Sequence, residues 1–536
     1  MVAGRGRIRA PRVRVQIHNA IRTAVFGLVM ALAAPPAPSA PVTADGCRQC
    51  HAREPHGFEA GHAVACNLCH AGEPAAATPE TAHQGLIAFP GNLSNADRTC
   101  GTCHAAIRRD VHHSLMNTAR GMVSTTRAVF DEPASGTIRS LGKSPADSLL
   151  RKLCVGCHLG FDRTERTDDL HRTGGGCLAC HLKRDPRRGH PQLTAKVGDE
   201  RCFGCHSRSA RTALNYAGLA ELDPELAAKR DPRMIGYLPD GRLVERKPTD
   251  VHHRAGMSCI DCHVQEELMG PTGEARHSSD AVRIRCEDCH RRQPGPGKPA
   301  RDSQDAAGAV TTRDGAAMRN VEARANGLWL RRKVNGGALP IPPYRRASHP
   351  LDAEHARLTC AACHSQWAPQ CYGCHTSFDP KGKQWDYVDG AVTAGRWNER
   401  RWPITSGPPS LGVGADNRIR PFVPGMILTI EHPDWKGPRF KRLFAPTSPH
   451  TVGPSRSCAS CHCSSTALGL GEGKWITRDG QRIHVPDRKP LADGLPADAW
   501  TRPGDPGLAR STHRGARPFN DAEMARILGV GCNPRR

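Results

Sequence analysis

Eleven pentapeptides of the form Cys-x-x-Cys-His recur along the chain and contain 22 of its 24 cysteines. Two thiols with this spacing lie on one side of a helical turn, where they can add to the two vinyl groups of one porphyrin, and the adjacent histidine can bind the iron. Separate zinc or dithiol sites would not place a histidine after every pair. The pattern therefore predicts eleven covalently bound haems c. The motif residues, in chain order, are Cys47, Cys50 and His51; Cys66, Cys69 and His70; Cys100, Cys103 and His104; Cys154, Cys157 and His158; Cys177, Cys180 and His181; Cys202, Cys205 and His206; Cys259, Cys262 and His263; Cys286, Cys289 and His290; Cys360, Cys363 and His364; Cys371, Cys374 and His375; and Cys458, Cys461 and His462.

A second histidine is available for the opposite face of every predicted haem. The segment after residue 44 contains 27 histidines, of which 16 lie outside the motifs. Because eleven irons would be open on that face, these histidines become candidate distal ligands. Met116 and Met257 are alternative ligands, although we expect both to pack in the core. The candidate distal histidines are the fourteen that precede the last motif, whereas His484 and His513 follow it: His56, His62, His83, His112, His113, His171, His190, His252, His253, His277, His349, His355, His432 and His450.

The first 44 residues have the pattern of an export signal. Residues 1–22 contain six arginines and no acidic residue, and the apolar run Thr23–Ala34 is followed by small residues and prolines. This order is typical of a secretory signal peptide, with cleavage expected after Ala44. The alternative is a retained membrane anchor, but the run is shorter than the roughly 20 residues that span a bilayer. We expect a periplasmic or otherwise extracytoplasmic protein with no transmembrane segment after cleavage.

Two cysteines lie outside the motifs, Cys463 directly after the last motif and Cys532 near the C-terminus. In an oxidising compartment a disulfide between them is the simplest expectation. A thiolate near the last haem iron, or two free buried thiols, are the alternatives.

The basic composition does not indicate a nucleic-acid partner. The net charge is +23, and removal of the six arginines of residues 1–44 leaves +17. Eleven haems would bring 22 propionates, which nearly cancel or exceed this charge and pair naturally with basic side chains. A basic surface that attracts an acidic protein partner is the alternative.

The motif spacing divides the chain into a signal peptide (1–44), an eight-haem segment (45–290), a linker with a hairpin (291–345) and a three-haem C-terminal segment (346–536). The segment after residue 44 offers roughly 45 residues per predicted haem, and aromatic residues make up only 4% of the sequence. We therefore expect a mainly α fold with much coil, in which short helices and a few β-hairpins surround stacked haems. Turn residues place hairpins at Pro239-Asp240-Gly241, Asn335-Gly336-Gly337 and Asp479-Gly480, and a helix is expected around Pro224–Arg230.

By these motifs the chain resembles the large multihaem (undecahaem) c-type cytochromes of bacterial respiratory chains. Longer phrases also resemble that group, and the eight-haem segment is distantly similar in haem number to the octahaem hydroxylamine oxidoreductase and tetrathionate reductase group. The phrases are GHAVACNLCHAGEP (61–74), DVHHRAGMSCIDCHVQEELMG (250–270) and SCASCHCSSTALGLGEG (457–473).

The resemblance implies haems in close contact that carry electrons between redox partners: other cytochromes, a quinol-oxidising membrane complex or a terminal reductase. The alternative is a multihaem oxidoreductase that acts on a small nitrogen or sulfur oxyanion at one haem with an open site. Two departures weaken the enzymatic alternative. Related nitrite reductases replace one motif histidine by lysine, whereas every motif here ends in histidine, and no pattern places one of the five tyrosines on a haem as hydroxylamine oxidoreductases require. We name no catalytic residue.

Overall fold

The computed structural model describes residues 46–51, 62, 64–164, 175–183, 190–207, 212–270, 273, 275–291, 310–344, 353–507 and 510–530. Residues 45–536 form one compact unit. Helix accounts for 28% and strand for 24% of the structure, so the expectation of a mainly α fold is wrong. The predicted signal peptide lies outside the described residues.

The helices are short, and many of them contain a Cys-x-x-Cys-His motif. The α-helices are Cys47–Cys50, Cys66–His70, Pro79–Ala82, Ala105–His113, Leu115–Thr118, Arg120–Val129, Pro145–Leu149, Leu178–His181, Glu200–His206, Thr212–Tyr216, Pro224–Ala227, Val251–Arg254, Cys259–Cys262, Gln265–Leu268, Ser278–Ala281, Cys286–Cys289, Cys360–His364, Ala459–His462 and Asp521–Leu528. The 3₁₀ turns are Cys100–Thr102, Ile138–Ser140, Val155–Cys157, Pro232–Met234 and Ala353–His355, and Leu150–Cys154 is a π-turn.

The strands concentrate in the second half of the chain. They are β1 (Leu182–Lys183), β2 (Gln192–Leu193), β3 (Leu219–Glu221), β4 (Ile235–Tyr237), β5 (Leu243–Arg246), β6 (Val321–Arg324), β7 (Gly327–Arg331), β8 (Ala338–Pro340), β9 (Ala368–Gln370), β10 (Cys374–Asp386), β11 (Ala391–Arg401), β12 (Thr405–Gly407), β13 (Ser410–Val413), β14 (Ile419–Glu431), β15 (Arg439–Pro446), β16 (Gly473–Arg478) and β17 (Gln481–Pro486). Four of them exceed the usual strand length of about six residues.

A five-stranded mixed sheet occupies the long spacer between the last two motifs. Its order is β11-β10-β14-β13, and β15 pairs with β14. The start of β10 pairs with the end of β14 in parallel, and the other pairings are antiparallel. This spacer is long enough to form a sheet with its own apolar side, so it does not depend on a haem for its core.

The three predicted hairpins are confirmed. β4 pairs with β5 across Pro239-Asp240-Gly241, β7 with β8 across Asn335-Gly336-Gly337, and β16 with β17 across Asp479-Gly480. The expected helix near Pro224 is also present, although it ends at Ala227. The turn residues in the sequence were therefore sufficient to predict these small elements.

The C-terminal part has a protein core built from aromatic side chains. Trp500 is fully buried, and its ring centre lies 4.4 Å from that of Phe422 and 5.3 Å from that of Phe444. The Arg442 guanidinium, with its side chain 1% exposed, binds Asp493 at 2.7 Å next to this cluster and also donates to four backbone carbonyls. The expectation that haems alone would form the core is therefore wrong for this part of the chain.

Residues of the predicted first and last segments contact each other directly. The guanidinium of Arg151 binds Asp386 at 2.8 Å with both side chains buried, and the indole N–H of Trp367 donates to the Pro248 carbonyl at 3.0 Å. The division of the chain into these segments remains a prediction. Within the described ranges, no helix is both long enough and apolar enough to cross a bilayer.

Candidate functional site

Ten of the eleven Cys-x-x-Cys-His motifs form a tight helical turn. In six of them, the N–H of the motif histidine donates to the carbonyl of the first cysteine at 2.8 to 3.1 Å. This turn brings both thiols to one side, as attachment to one porphyrin requires. The exception is the tenth motif, in which Cys374 and His375 begin strand β10. The expectation of a helical turn is therefore wrong at that motif. The six histidines are His51, His104, His181, His263, His290 and His462.

The seventh and eighth motifs show why the sequence makes a turn there. Each has aspartate before its second cysteine, and the carboxylates of Asp261 and Asp288 accept the N–H of Ser258 and Arg285, both at 2.8 Å. A carboxylate at the third helical position that accepts this N–H stabilises a helix start. Both aspartates are buried. Local sequence thus fixes these turns without help from a bound group.

Six motif histidines face a second imidazole at a nearly constant distance. Two imidazoles bound to opposite sides of one metal ion, each with its nitrogen about 2 Å from the metal, place their ring centres about 6 Å apart. Each pair contains one motif histidine and one candidate distal histidine. The pairs are His51 with His83 (6.1 Å), His104 with His62 (6.0 Å), His70 with His190 (5.9 Å), His290 with His252 (6.0 Å), His263 with His450 (6.0 Å) and His462 with His355 (6.0 Å). These residues fit a haem iron held by two histidines.

The Nδ1 atoms of many of these rings are held by oxygen acceptors, so Nε2 is the atom that would bind a metal. Metal-binding histidines in proteins nearly always donate their other ring N–H in this way. Among distal candidates, His190 contacts the Pro191 carbonyl, His252 contacts Asp250 and His450 contacts the Ser448 carbonyl, at 2.7 to 2.9 Å. The motif histidines with such a contact are His70 (to the Ile87 carbonyl), His181 (Thr194), His263 (the Glu267 carboxylate), His290 (Pro342), His364 (Gly453) and His462 (Ile527), at 2.6 to 2.9 Å.

The electrostatics differ on the two sides of the His263–His450 pair. Burial opposes the charged form of His263, but the hydrogen bond to Glu267 outweighs this and raises the pKa of His263. Burial lowers the pKa of His450, with a further contribution from His263. A neutral imidazole is the form that binds a metal, and a carboxylate on its far nitrogen increases its basicity.

Thiols of different motifs influence one another in a connected series. The series runs through the second, third, fifth, sixth, seventh, eighth, ninth and eleventh motifs, and the fourth joins it at the sixth. Side-chain interactions that shift the thiol pKa values couple Cys100 to Cys177, Cys202 to Cys259 and Cys286 to Cys360. Electrostatic effects on the pKa values connect Cys69 to Cys100, Cys180 to Cys202, Cys262 to Cys289 and Cys363 to Cys461, and the Cys205 thiol lies 3.3 Å from the Cys157 carbonyl. Attachment sites arranged in this way would place bound haems near each other.

Burial keeps several of these thiols protonated in the folded chain. It raises the pKa of Cys180 to about 11, of Cys262 to about 12 and of Cys289 to about 11. The ligand atoms of Cys286, Glu287 and Cys360 lie within 4.8 Å of one another. A structural zinc site normally has four protein ligands, and both thiols here belong to haem motifs, so we do not assign a zinc site.

The other candidate ligands have different surroundings. His112 and His113 pack edge to face on one helix, His253 packs on Tyr216, His277 stacks on His513, and His432 packs on Phe378. Met257 packs against an apolar cluster near β6 and β7, and Met116 lies in the helix Leu115–Thr118. His56, His171 and His349 lie outside the described residues.

Two acidic residues that hold histidines were missed in the sequence. Asp250 precedes His252 by two residues, and its carboxylate also accepts the N–H of Val452 at 2.7 Å. Glu267 follows His263 by four residues, which is one helical turn, so this contact could have been predicted from the sequence. The backbone carbonyl acceptors of the other histidines leave no mark in the sequence and could not have been predicted.

Cys463 is disulfide-bonded. Its expected partner, Cys532, lies outside the described residues. The 22 motif cysteines form no disulfide in the part of the chain that the structure describes.

Comparison with protein-family models, with curated proteins and with solved structures returned no match for this chain. Its function must therefore be inferred from its own motifs and geometry.

Proposed function

We propose that this protein transfers electrons outside the cytoplasm through c-type haems attached to its Cys-x-x-Cys-His motifs. Its partners would be other redox proteins: cytochromes, a quinol-oxidising membrane complex or a terminal reductase. The observation that carries the proposal is the connected series of thiols from Cys69 to Cys461 whose pKa values respond to one another. A connected series of attachment sites would serve movement of charge along the molecule, whereas a single catalytic centre would not require it.

Bound haem would supply a one-electron redox centre at each motif, and the protein would set its properties. Each of the six histidine pairs would supply two imidazole ligands to one haem, which favours low reduction potentials compared with methionine ligation. In three of the pairs (His70 with His190, His290 with His252 and His263 with His450), Nδ1 contacts hold both rings before a metal binds. Because the fixed rings need not rearrange between oxidation states, they suit a carrier.

The disulfide at Cys463 supports an extracytoplasmic location. Stable structural disulfides form in oxidising compartments such as the periplasm and are rare in the cytosol. The expected signal peptide in residues 1–44 points to the same compartment.

The test is reoxidation of the fully reduced holoprotein by an excess of a bulky electron acceptor, monitored by stopped-flow absorbance. In the wild-type protein, we expect all haems to be oxidised at the same rate. Replacing Cys259 and Cys262 by serine removes the seventh motif from the middle of the series, so part of the remaining haem should reoxidise slowly. Replacing Cys66 and Cys69 by serine removes only an end of the series and serves as the matched control. Equal kinetics in both variants, or a wild-type protein without haem, would refute the proposal.

A second candidate function is favoured by His181. Its Nδ1 contacts the Thr194 carbonyl at 2.9 Å, as in the paired histidines, but no imidazole faces it at 6 Å among the described residues. A haem held only on this side would have an open position for a small molecule, and a nitrogen or sulfur oxyanion is the candidate substrate class. The positive charge of Arg201 acts on the neighbouring Cys180 thiol.

Electron paramagnetic resonance of the oxidised protein distinguishes the two functions. One high-spin iron per chain that shifts with nitrite, hydroxylamine or tetrathionate supports the enzymatic function. An entirely low-spin spectrum supports the carrier alone.

A further inference from the structure

We propose that the tenth motif (Cys371, Cys374 and His375) attaches no haem, and that the chain carries haem only on its other ten motifs. This inference rests on the proposed function and narrows it. The ten other motifs provide an internal reference, because all of them form the compact turn that haem attachment needs.

The last two residues of the tenth motif pair with a neighbouring strand on both sides. Cys374 pairs with Arg401 of β11 and with Leu428 of β14, and His375 pairs with Arg400 and Thr429 in the same way. A helical turn at this position would break ladder hydrogen bonds to both neighbours. It would also separate β10 from β14, whose parallel pairing consists of only four residue pairs.

The three atoms that would attach a haem have other partners. The Nε2 atom of His375, which would bind iron, lies 3.0 Å from the carboxylate of Glu431. The Cys374 thiol donates to the Glu399 carboxylate at 3.1 Å. The Cys371 thiol lies 3.5 Å from the carbonyls of both Gly373 and Trp402. In four of the six paired motifs, by contrast, it is the Nδ1 atom of the histidine that has the protein acceptor.

The residues between the two cysteines are also packed. Tyr372 is buried in the aromatic core with Phe422 and Trp500. A Cβ added to Gly373 would come within 3.1 to 3.2 Å of the indole of Trp402. The indole of Trp402 therefore packs against the backbone of the motif.

No second imidazole completes the site within the described residues. His432, which follows Glu431, stacks on Phe378 with 4.9 Å between ring centres, and its ring also contacts Trp397 and Trp435. The histidine next to the motif is therefore part of an apolar cluster. The contacts of the motif residues instead tie β10 to β11 through Glu399 and to β14 through Glu431.

The first test is mass spectrometry of the purified holoprotein. Each covalent haem adds about 0.6 kDa, and we expect ten additions. After denaturation, alkylation and proteolysis, the peptide containing Cys371 and Cys374 should carry two alkyl groups and no haem. Eleven additions, or haem on this peptide, would overturn the inference. A chain without any haem would overturn the proposed function as well, so the two failures are distinguishable.

A variant pair provides the second test. Replacing Cys371 and Cys374 by serine should leave the haem content at ten and the visible spectrum unchanged. Replacing Cys360 and Cys363 by serine, in the neighbouring ninth motif, should remove one haem. Loss of one haem in the first variant would overturn the inference, and mapping of the wild-type peptide decides the matter if that variant does not fold.

Discussion

Replacement of His450 by glycine would test whether the histidine pairs hold haem. His450 has a left-handed backbone with φ of 58°, which costs a non-glycine residue about 1 kcal/mol or more and persists only where the surroundings enforce it. This conformation directs the ring to 6.0 Å from that of His263. Glycine adopts this φ freely. His450→Gly therefore removes the imidazole and also relieves this backbone strain of about 1 kcal/mol.

We expect His450→Gly to change the iron ligands of one haem per chain. His450→Gly should convert one low-spin iron to high-spin, increase the carbon monoxide bound by the reduced protein by one molecule per chain, and leave the melting temperature nearly unchanged. Added imidazole should restore the low-spin signal by filling the position that His450 left. His277→Ala is the matched control, because His277 stacks on His513 at 3.6 Å and faces no motif histidine. Unchanged carbon monoxide binding in His450→Gly, or an equal gain in the control, would refute the assignment of the pairs.

Three further predictions concern charged side chains. Glu267→Gln weakens the acceptor of the His263 ring N–H. Because charged and neutral acceptors differ by roughly 1 kcal/mol, one reduction potential should rise by about 50 mV in a spectroelectrochemical titration. The control Glu266→Gln, at the more exposed neighbouring residue, should leave that potential unchanged. Arg442→Ala leaves buried acceptors unpaired and should lower the free energy of unfolding by about 3 to 5 kcal/mol in a denaturant titration; a loss below 1 kcal/mol would contradict this. Burial alone would raise the pKa of Glu523, but hydrogen bonds from arginine and from the backbone outweigh it, so the pKa is lowered to about 2. The carboxylate should therefore stabilise the fold above its ordinary pKa and lose this effect as the pH falls from about 4.5 to about 2. Glu523→Gln should flatten that part of the stability profile, and an unchanged profile would refute the argument.

From the sequence, the candidate histidines could be named, but the partner of each histidine could not. The motif histidines and the set of candidate partners could be named, because residue type and number are visible in a sequence. The partner of each histidine could not, since His263 and His450 meet only through the tertiary fold. The carbonyls of Ser448 and Thr194, which hold ring nitrogens, belong to the backbone and have no sequence signature.

The sheet was missed because composition was averaged over the whole chain. Aromatic residues are scarce overall, but seven of the eight tryptophans lie after residue 366. Among them, Trp397 and Trp500 are buried in the clusters of the C-terminal part. The Cys-x-x-Cys-His signal also predicted a turn where β10 begins, and the pairing of β10 with two neighbouring strands prevails there over the local motif.

The contacts between thiols of different motifs create a hazard during biogenesis. The thiols of Cys100 and Cys177 shift each other's pKa, as do those of Cys286 and Cys360, and the latter two lie within 4.8 Å, although each pair belongs to two different motifs. In an oxidising compartment, a chain that folded with free thiols could join such a pair as a disulfide, and one wrong bond would disable two motifs at once. Under the proposed function, haem attachment would therefore have to precede folding, or a reductant would have to keep these thiols reduced until attachment is complete.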